Sequence, residues 1–357
     1  MSAKGKAPRK RRGKSEDDDL VEPSTSPSSS GASSGPPKAL AQALILADSF
    51  NHRFTPITLE IPRTLMPLVN VPMLDYCIEF LAAAGINEVF VFAVVHADQI
   101  EEHVRRVWQD QPGLSVRCVV SKASQGPGDA LREMYLKNYI TTDFLLVSGD
   151  VVSNMKLDQT LMAHKARRRE DSGAIMTSIF KKATPAHRTR AREDDSVVVI
   201  DPDTSRLLHY ENDPSSRDPS LSSARRAFAD RSSVQFRYDL IDCHIDICAP
   251  TVLFLFTDNF DYQDLRQDFV RGVLNSEIQY KVYITVIDGE YAARVRDLNT
   301  YEAVSRDIIN RWVHPLVPDN NFLGTSTYRH HRGAIYKEQS TNIHRSAKVQ
   351  RGTVVGR

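Results

Sequence analysis

The sequence lacks the features of a secreted, metal-binding or membrane-spanning protein. It has only 4 cysteines in 357 residues, Cys77, Cys118, Cys243 and Cys248, and no two of them are spaced Cys-x-x-Cys. We therefore expect reduced thiols in the core rather than disulfides or metal ligands. No apolar run reaches the roughly 18 residues of a membrane span, and no apolar signal core follows Met1. These absences predict a cytosolic protein without a membrane partner.

Net charge is also low, but its distribution is uneven. The formal net charge is +1, yet seven Lys and Arg side chains within residues 4–14 are followed at once by the acidic residues 16–19. A tract rich in Ser, Pro and Gly spans 23–37, and such a composition buries too little apolar surface to fold. We predict a disordered tail over residues 1–38. Nucleic-acid contact and a nuclear import signal are both open for its basic cluster. The cluster has no interleaved aromatic residues, so we expect no direct nucleic-acid partner.

Apolar runs and helical periodicities alternate between residues 43 and 147. Buried strands are predicted at 43–47, 88–95, 114–120 and 144–147, and helices around 74–81, 100–108 and 130–135. This alternation predicts an α/β fold with a doubly wound, mainly parallel sheet. Such sheets bind ligands beyond the carboxyl ends of their strands, where Asp48 and Asp150 are expected to lie.

The second half of the chain is less regular. Strands are predicted at 174–180, 196–200, 244–248 and 281–287, and pairing among them is expected to extend the sheet. Residues 213–235 have no periodicity and a Ser-, Arg-, Asp- and Pro-rich composition, which predicts a mobile insertion. An amphipathic helix over 300–312, with Trp312 on its apolar face, is expected to close the domain.

Three apolar residues near the end of the sequence recur every six residues: Ile343, Val349 and Val355. Six residues is the period of a hexapeptide β-helix. We therefore predict an α/β domain over 39–315, followed by a linker and the first coils of a truncated left-handed β-helix over 316–357.

The segment after the first strand resembles the opening of the sugar-nucleotide pyrophosphorylases. Leu46-Ala-Asp-Ser-Phe-Asn-His-Arg-Phe-Thr-Pro-Ile-Thr58 and the later Pro62-Arg are similar to the Leu-Ala-Gly-Gly-x-Gly-Thr-Arg-Leu-x-Pro-Leu-Thr and Pro-Lys motifs of that family. The proline framework of Pro56, Pro62, Pro67 and Pro72 also fits. The resemblance implies a sheet of the nucleotide-diphospho-sugar-transferase type.

The phosphate-binding loop of that family is altered here. Asp48, Ser49 and Asn51 stand at its glycine positions, where backbone N–H groups must approach a triphosphate closely. A carboxylate at Asp48 about 4 Å from a phosphate would repel it by roughly 4 kcal/mol at an effective dielectric near 20. Arg53 stands where the resemblance implies a catalytic arginine, and Arg63 replaces the lysine after proline, with a different donor geometry.

The metal and sugar-phosphate positions are altered in the same way. The resemblance implies that Asp150, in Val147-Ser-Gly-Asp, matches a magnesium-binding aspartate, but Arg294 falls where a second aspartate is expected, and Asn212 replaces a phosphate-binding lysine. Asp150 could alternatively cap the turn after its strand. We predict a degenerate pocket with no metal, no cofactor and no catalytic residue for nucleotidyl transfer. The alternatives are an active nucleotidyltransferase and a pocket that holds a guanine nucleotide or sugar nucleotide as a regulator.

Several longer segments resemble a second family, the epsilon subunits of eukaryotic translation initiation factor 2B. They are 48–73, 96–100, 149–154, 239–243, 256–262, 268–274 and 291–295, and the resemblance covers residues 40–357. It implies a guanine-nucleotide exchange factor that promotes GDP release from initiation factor 2. The implied partners are the sister gamma subunit directly, then beta, delta and alpha, and the GTPase gamma subunit of initiation factor 2. The family's main exchange domain, a C-terminal helical repeat, is not found in this sequence.

The resemblance assigns part of the exchange function to an Asn-Phe-Asp motif, here Asn259, Phe260 and Asp261. An exposed aromatic ring flanked by polar residues suits an interface anchor. Two alternatives stay open: Phe260 is a core residue beneath a loop, or the chain is a structural subunit of the gamma type.

Overall fold

The computed structural model describes residues 42–47, 53–191, 195–212, 228, 231–276, 280–322 and 327–356, all within the compact unit Lys38–Arg357. The predicted tail, most of the insertion 213–235, and Asp48, Ser49 and Asn51 lie outside the described residues. The expectations for them stay predictions.

The described chain alternates strands with helices through its first half. The strands are β1 (Gln42–Leu46), β2 (Pro67–Leu68), β3 (Val71–Pro72), β4 (Glu88–Ala93), β5 (Ser115–Val120), β6 (Phe144–Ser148), β7 (Val151–Ser153), β8 (Ala174–Lys182), β9 (Val197–Ile200), β10 (Leu207–Glu211), β11 (Gln235–Arg237), β12 (Leu240–Cys248), β13 (Lys281–Ile287), β14 (Ala292–Arg294), β15 (Tyr328–His331), β16 (Ile335–Glu338) and β17 (Val354–Val355). The α-helices are α1 (Met73–Ala83), α2 (Ala97–Trp108), α3 (Pro127–Leu136), α4 (Asp158–Glu170), α5 (Pro250–Asp258), α6 (Arg271–Asn275) and α7 (Leu298–Ile309). A π-helix spans Leu265–Val270, and short 3-10 turns span Ile57–Leu59, Arg63–Leu65 and Pro318–Asn320.

A seven-stranded sheet with the order β13-β8-β12-β6-β1-β4-β5 organises the domain. Strands β6, β1, β4 and β5 are mutually parallel, and β13 is parallel to β8, whereas β12 is antiparallel to both of its neighbours. The prediction of a mainly parallel α/β sheet is therefore confirmed. Of the four strands predicted in the second half, 196–200 does not join this sheet, because β9 pairs with β10 and β11 in a separate one.

Burial on both faces explains why the central strands are apolar except at their ends. In β1, Leu44 packs with Phe90 and Phe144 in one cluster, whereas its neighbour Ile45 packs with Val91 in another on the opposite face. Successive side chains of a strand point to opposite sides, so a strand covered by helices on both sides needs an unbroken apolar run. Because both faces of the sheet are covered, the functional residues lie at the strand ends.

The helix predicted over 300–312 is shorter than expected. It ends at Ile309, and Arg311 has a positive φ of 68°, which turns the chain out of the helix. Trp312 is therefore exposed, and its ring lies 5.2 Å from the Arg188 guanidinium. The expectation that Trp312 belongs to the apolar face of the helix was wrong.

The last described residues form a small three-stranded sheet. Strand β15 is antiparallel to β16, and β16 is parallel to β17. Ile343 and Val349 lie outside strands, and both are only half-buried, as is Val355 in β17. The truncated left-handed β-helix therefore stays a prediction.

The four cysteines are free thiols, as predicted, and three of them are buried. Burial raises the pKa of the Cys77 and Cys243 thiols well above the usual range. Within the described ranges, no helix is both long and apolar enough to cross a bilayer.

Candidate functional site

The carboxyl ends of β1 and β6 open into a cleft of about 220 Å³ that we call the arginine cleft. Its walls are Leu46, Arg53, Pro127, Ser148, Asn212, His244, Asp264, Leu265, Arg266, Gln267, Arg294 and Arg296. Three residues singled out from the sequence, Arg53, Asn212 and Arg294, thus line one cavity. The location matches the rule that doubly wound sheets bind ligands beyond the carboxyl ends of their strands.

Asp150 lies in the turn between β6 and β7 and lines a smaller cavity that shares Leu46, Ser148 and Arg294 with the arginine cleft. Arg294 donates from Nε to both carboxylate oxygens, at 2.7 Å to Oδ1 and 2.9 Å to Oδ2, and Arg63 donates from Nη2 to Oδ2. Burial by itself raises the pKa of Asp150, but the charges of Arg294 and Arg63 outweigh it and hold that pKa below its usual value. Both oxygens of this carboxylate are therefore engaged by guanidinium groups, so the side chain does more than cap its turn.

Arg63 is held in an energetically demanding position. It is almost completely buried, its Nη2 also donates to the carbonyl of Val295, and its guanidinium lies 5.2 Å from the Phe54 ring centroid. Among the described residues, its Nε and Nη1 have no hydrogen-bond partner. Burial, together with the nearby charge of Arg294, lowers the pKa of Arg63 to about 10 even though Asp150 opposes the shift. Removing that carboxylate would leave a buried cation uncompensated.

Two further residues of the arginine cleft, His244 and Arg266, were not predicted from the sequence. His244 Nε2 accepts a hydrogen bond from Arg294 Nη1 at 3.0 Å, and burial together with the Arg294 charge lowers the pKa of His244 to about 3. Arg266 is buried between Asp242 and Asp246. The signal in the sequence was the alternation of Asp242, His244 and Asp246 along an otherwise apolar strand, which places three polar side chains on one side of β12.

The Asn-Phe-Asp motif lies in a loop directly after α5, which we call loop 259–263. Phe260 is 74% exposed, so the alternative that it is a core residue is wrong. Asn259 anchors the start of the loop, because its Nδ2 donates to the carbonyl of Leu255 at 3.2 Å. The other end runs into Asp264 and the π-helix, whose first turn lines the arginine cleft.

Arg132 of α3 holds the conformation of loop 259–263. Its Nε donates to the carbonyl of Phe256 at 2.8 Å, and its Nη2 lies within 3.2 Å of the carbonyls of Asn259, Phe260 and Tyr262. The guanidinium also lies 5.2 Å from the Phe260 ring centroid, within the range of a cation–π contact. A buried, charge-assisted set of bonds of this kind orients the exposed ring before any partner binds.

A glycine at the start of α3 allows this arrangement. Gly128 N–H donates to the carbonyl of Gln263 at 2.9 Å, and a Cβ at residue 128 would lie 2.2 Å from the carbonyl oxygen of Tyr262. Only a residue without a side chain permits such an approach of loop and helix. On the far side, Asp268 Oδ2 accepts from the backbone N–H groups of Gln263 and Asp264 at 2.9 Å and 2.7 Å.

No group of three or more His, Cys, Asp or Glu side chains in the described part of the chain is placed to hold a metal ion. The described cleft is lined by several guanidinium groups and by His244, an arrangement that suits anions.

The chain is similar to known proteins in sequence and in fold. A sequence model of the Nucleotidyl transferase family matches residues 42–187. The fold is similar to that of the inositol-1-phosphate CTP transferase from T. maritima, with a TM-score of 0.55 and 14% identity over 78% of this chain and 98% of the other. At that identity the likeness concerns the fold alone.

Two relatives are much closer in sequence. Translation initiation factor eIF2B subunit epsilon of Dictyostelium discoideum is 49% identical over 319 residues, which are 89% of this chain and 45% of that protein. The protein of the same name from Schizosaccharomyces pombe is 47% identical over 328 residues, 90% of this chain and 47% of that protein. The chain thus spans about half the length of these relatives. The chain is a close homologue of the epsilon subunits of translation initiation factor eIF2B, and it contains a nucleotidyl transferase domain.

Proposed function

We propose that the chain is part of a subunit of the exchange-factor complex that promotes GDP release from translation initiation factor 2. In this role the α/β domain serves assembly, and Asn259, Phe260 and Asp261 contact the GTPase. The observation that carries the proposal is the exposed Phe260 ring, presented by a loop whose backbone carbonyls are held by Arg132. Homology to the eIF2B epsilon subunits supports the same role.

Exchange of this kind is catalysis without covalent chemistry. An exchange factor has to bind the nucleotide-free GTPase better than the nucleotide-bound form, so that binding shifts the population toward release. An aromatic side chain that is oriented before the encounter loses little conformational freedom on docking. Phe260 meets that requirement, because Arg132 and Asn259 restrain the loop on both sides of it.

Nucleotidyl transfer is not part of this proposal. Its pocket is taken to be degenerate at Asp48, Ser49, Asn51, Arg53, Arg63, Asp150, Asn212 and Arg294. The support comes from Asp150, whose Oδ2 accepts from Arg63 and Arg294 and whose Oδ1 accepts from Arg294, so both oxygens already have cationic partners. These two guanidinium groups already balance the negative charge that would attract a magnesium ion.

The proposed partners follow from the homology. They are the sister gamma subunit in direct contact, then beta, delta and alpha, and the GTPase gamma subunit of initiation factor 2, all in the cytosol and without direct nucleic-acid contact. Because the chain spans only 45% and 47% of the two relatives, we expect it to support little exchange by itself. GDP release from initiation factor 2, measured with this chain, the full-length subunit and buffer, tests that expectation.

Substitution Phe260→Ala, made in the full-length subunit within the assembled complex, tests the function of the loop. We expect slower GDP release with unchanged assembly, because a hot-spot aromatic ring contributes about 2 kcal/mol or more to an interface. The matched control is Tyr238→Ala, an exposed aromatic residue outside the loop. Unchanged exchange in an intact Phe260→Ala complex would leave the motif without its proposed role and favour a structural subunit.

The second candidate function is an active sugar-phosphate nucleotidyltransferase. The match of residues 42–187 to the Nucleotidyl transferase family favours it. The test is pyrophosphate formation from a nucleoside triphosphate and a sugar 1-phosphate in the presence of magnesium. Measurable turnover would contradict the interpretation of the pocket as degenerate.

A further inference from the structure

An apolar face continues from loop 259–263 across two helices. It consists of Phe260, of Tyr135 and Leu136 at the end of α3, and of Phe254 on α5. Leu136 is 75% exposed, Phe254 45% and Tyr135 40%. Large apolar side chains that are exposed singly are ordinary, but a contiguous group of them marks an interaction surface.

Contacts between these residues join loop 259–263 to α3 and α3 to α5. Arg132 lies 5.2 Å from the Phe260 ring centroid, and Tyr135 and Leu136 follow Arg132 by three and four residues, which puts them on the same side of α3. The Tyr135 ring then packs edge-on against Phe254, with ring centroids 6.0 Å apart. The contacts therefore link Phe260 to the buried Arg132 and Tyr135 to Phe254, and helical spacing along α3 leads from the first pair to the groove between α3 and α5.

Charge at the edge of the apolar face is negative next to Phe260. Asp258 and Asp261 flank the ring in sequence, and both are exposed. Lys137, which follows Leu136, forms an ion pair with Glu133, in which its Nζ lies 2.7 Å from Oε1. A complementary partner would therefore insert apolar side chains between α3 and α5 and direct basic side chains toward Asp258 and Asp261.

We infer that the GTPase docks on the whole apolar face, with the groove between α3 and α5 as a second contact beside Phe260. The inference rests on the proposed function of loop 259–263. A sister subunit is the less suitable occupant, because a subunit seated permanently on Leu136 and Phe254 would also cover Phe260, which is linked to them through Arg132. The negative rim requires a basic segment on the GTPase.

Two substitutions in the full-length subunit, studied in the assembled complex, test this docking face without disturbing the core. Leu136→Asp places a charge in the proposed contact at a highly exposed position, so folding should tolerate it. Asp258→Lys reverses the rim charge and puts a cation at the C-terminus of α5, where the helix dipole favours one. The matched control is Met162→Asp, because Met162 is 47% exposed and lies on α4, outside α3 and α5.

Affinity for initiation factor 2, GDP release and recovery of the complete complex are measured for each variant. We expect Leu136→Asp to weaken binding by about tenfold or more, since it leaves a buried unpaired charge at a central contact. Asp258→Lys should weaken binding several-fold and reduce the salt dependence of association. Met162→Asp should behave as the wild type, and all complexes should assemble.

Different results overturn the inference and the proposed function. Wild-type affinity for Leu136→Asp, with Phe260→Ala impaired, refutes the extended face and leaves the function of the loop standing. If Leu136→Asp and Phe260→Ala both behave as the wild type, the proposed function is refuted as well. Loss of the sister subunits from the Leu136→Asp complex would show that the face is a subunit interface, which also contradicts the inference.

Discussion

The Nε of Arg294 lies 2.7 Å from one oxygen of Asp150 and 2.9 Å from the other, although 144 residues separate them in the sequence. Arg63 completes the cluster from the opposite side. The charge of a carboxylate that would otherwise suit a divalent cation is thus balanced from within the protein. Substitutions can test how this cluster contributes to stability and how Arg132 holds loop 259–263.

Substitution Asp150→Asn should destabilise the domain strongly. It leaves the buried Arg63 and the largely buried Arg294 without a counter-charge, and breaking a buried ion pair in this way costs about 3–5 kcal/mol. Urea unfolding measures the change in the free energy of unfolding. Adding Arg63→Met to Asp150→Asn should restore part of the loss, since it removes the uncompensated cation.

The control for that experiment is Asp110→Asn, because Asp110 is exposed. It should leave the free energy of unfolding unchanged within error. An unchanged free energy of unfolding for Asp150→Asn would mean that the cluster of Asp150, Arg63 and Arg294 does not contribute to stability.

Acidification should destabilise the domain through His244. The unfolded chain has a His pKa near 6.5, whereas burial and Arg294 lower it to about 3 in the fold. Between these values the unfolded state binds more protons, so the stabilisation present above pH 6.5 is lost as the pH falls. The contribution of this group should fall by about 1–2 kcal/mol between pH 6.5 and pH 5.

Substitution His244→Asn isolates this effect. Asn carries no titratable group and tolerates the positive φ of 51° at this position. The difference in unfolding free energy between wild type and His244→Asn should shrink toward low pH, while the carboxylates of Asp150, Asp242 and Asp246 are present in both proteins. Parallel pH profiles would refute the assignment.

Substitution Arg132→Lys should loosen loop 259–263. An ammonium group retains the charge but cannot reach the carbonyls of Phe256, Asn259, Phe260 and Tyr262 together. Leaving buried acceptors unpaired costs about 1–3 kcal/mol. Hydrogen exchange of the backbone amides should accelerate in 259–263, and GDP release by the assembled complex should slow.

Arg117→Lys is the matched control, since the Arg117 side chain is mostly exposed and makes only a long ion pair with Glu88, at 3.6 Å. Its amide protection and exchange activity should match the wild type. Unaltered protection of loop 259–263 in Arg132→Lys would show that other contacts position Phe260.

Substitution Gly128→Ala should displace the same loop by steric conflict. The new methyl group would lie 2.2 Å from the Tyr262 carbonyl oxygen, so helix and loop must separate. Overpacking of this kind costs about 1–3 kcal/mol. Thermal unfolding measures the loss, and the Phe260 contact with Arg132 should weaken with it.

Gly126→Ala provides a control from the same turn. Its backbone is extended, and the nearest atom to a new Cβ there is Gln263 O at 3.7 Å, an ordinary contact. We expect a much smaller change than for Gly128→Ala. Equal losses would show that the clash at residue 128 is not the cause, because the chain-entropy effect of Gly→Ala is stabilising by itself.

The sequence by itself determined the architecture of the sheet and the family resemblance. Apart from Glu88, the runs at 43–47, 88–95 and 144–147 are apolar because their strands are covered on both faces, and this local property can be read without coordinates. Arg294 was also singled out from the sequence, by its spacing from Tyr301 along one continuous segment, and its place as a departure from the family's aspartate stays a prediction.

Only the tertiary structure decided how the functional residues are presented. Phe260 follows an apolar helix and precedes Tyr262, so the sequence could not distinguish an exposed ring from a buried one. Arg132 and Gly128 hydrogen-bond to loop 259–263, although they belong to α3, more than a hundred residues earlier in the chain. Periodicity records which side of a single element is buried, whereas contacts between distant elements depend on how the sheet brings them together.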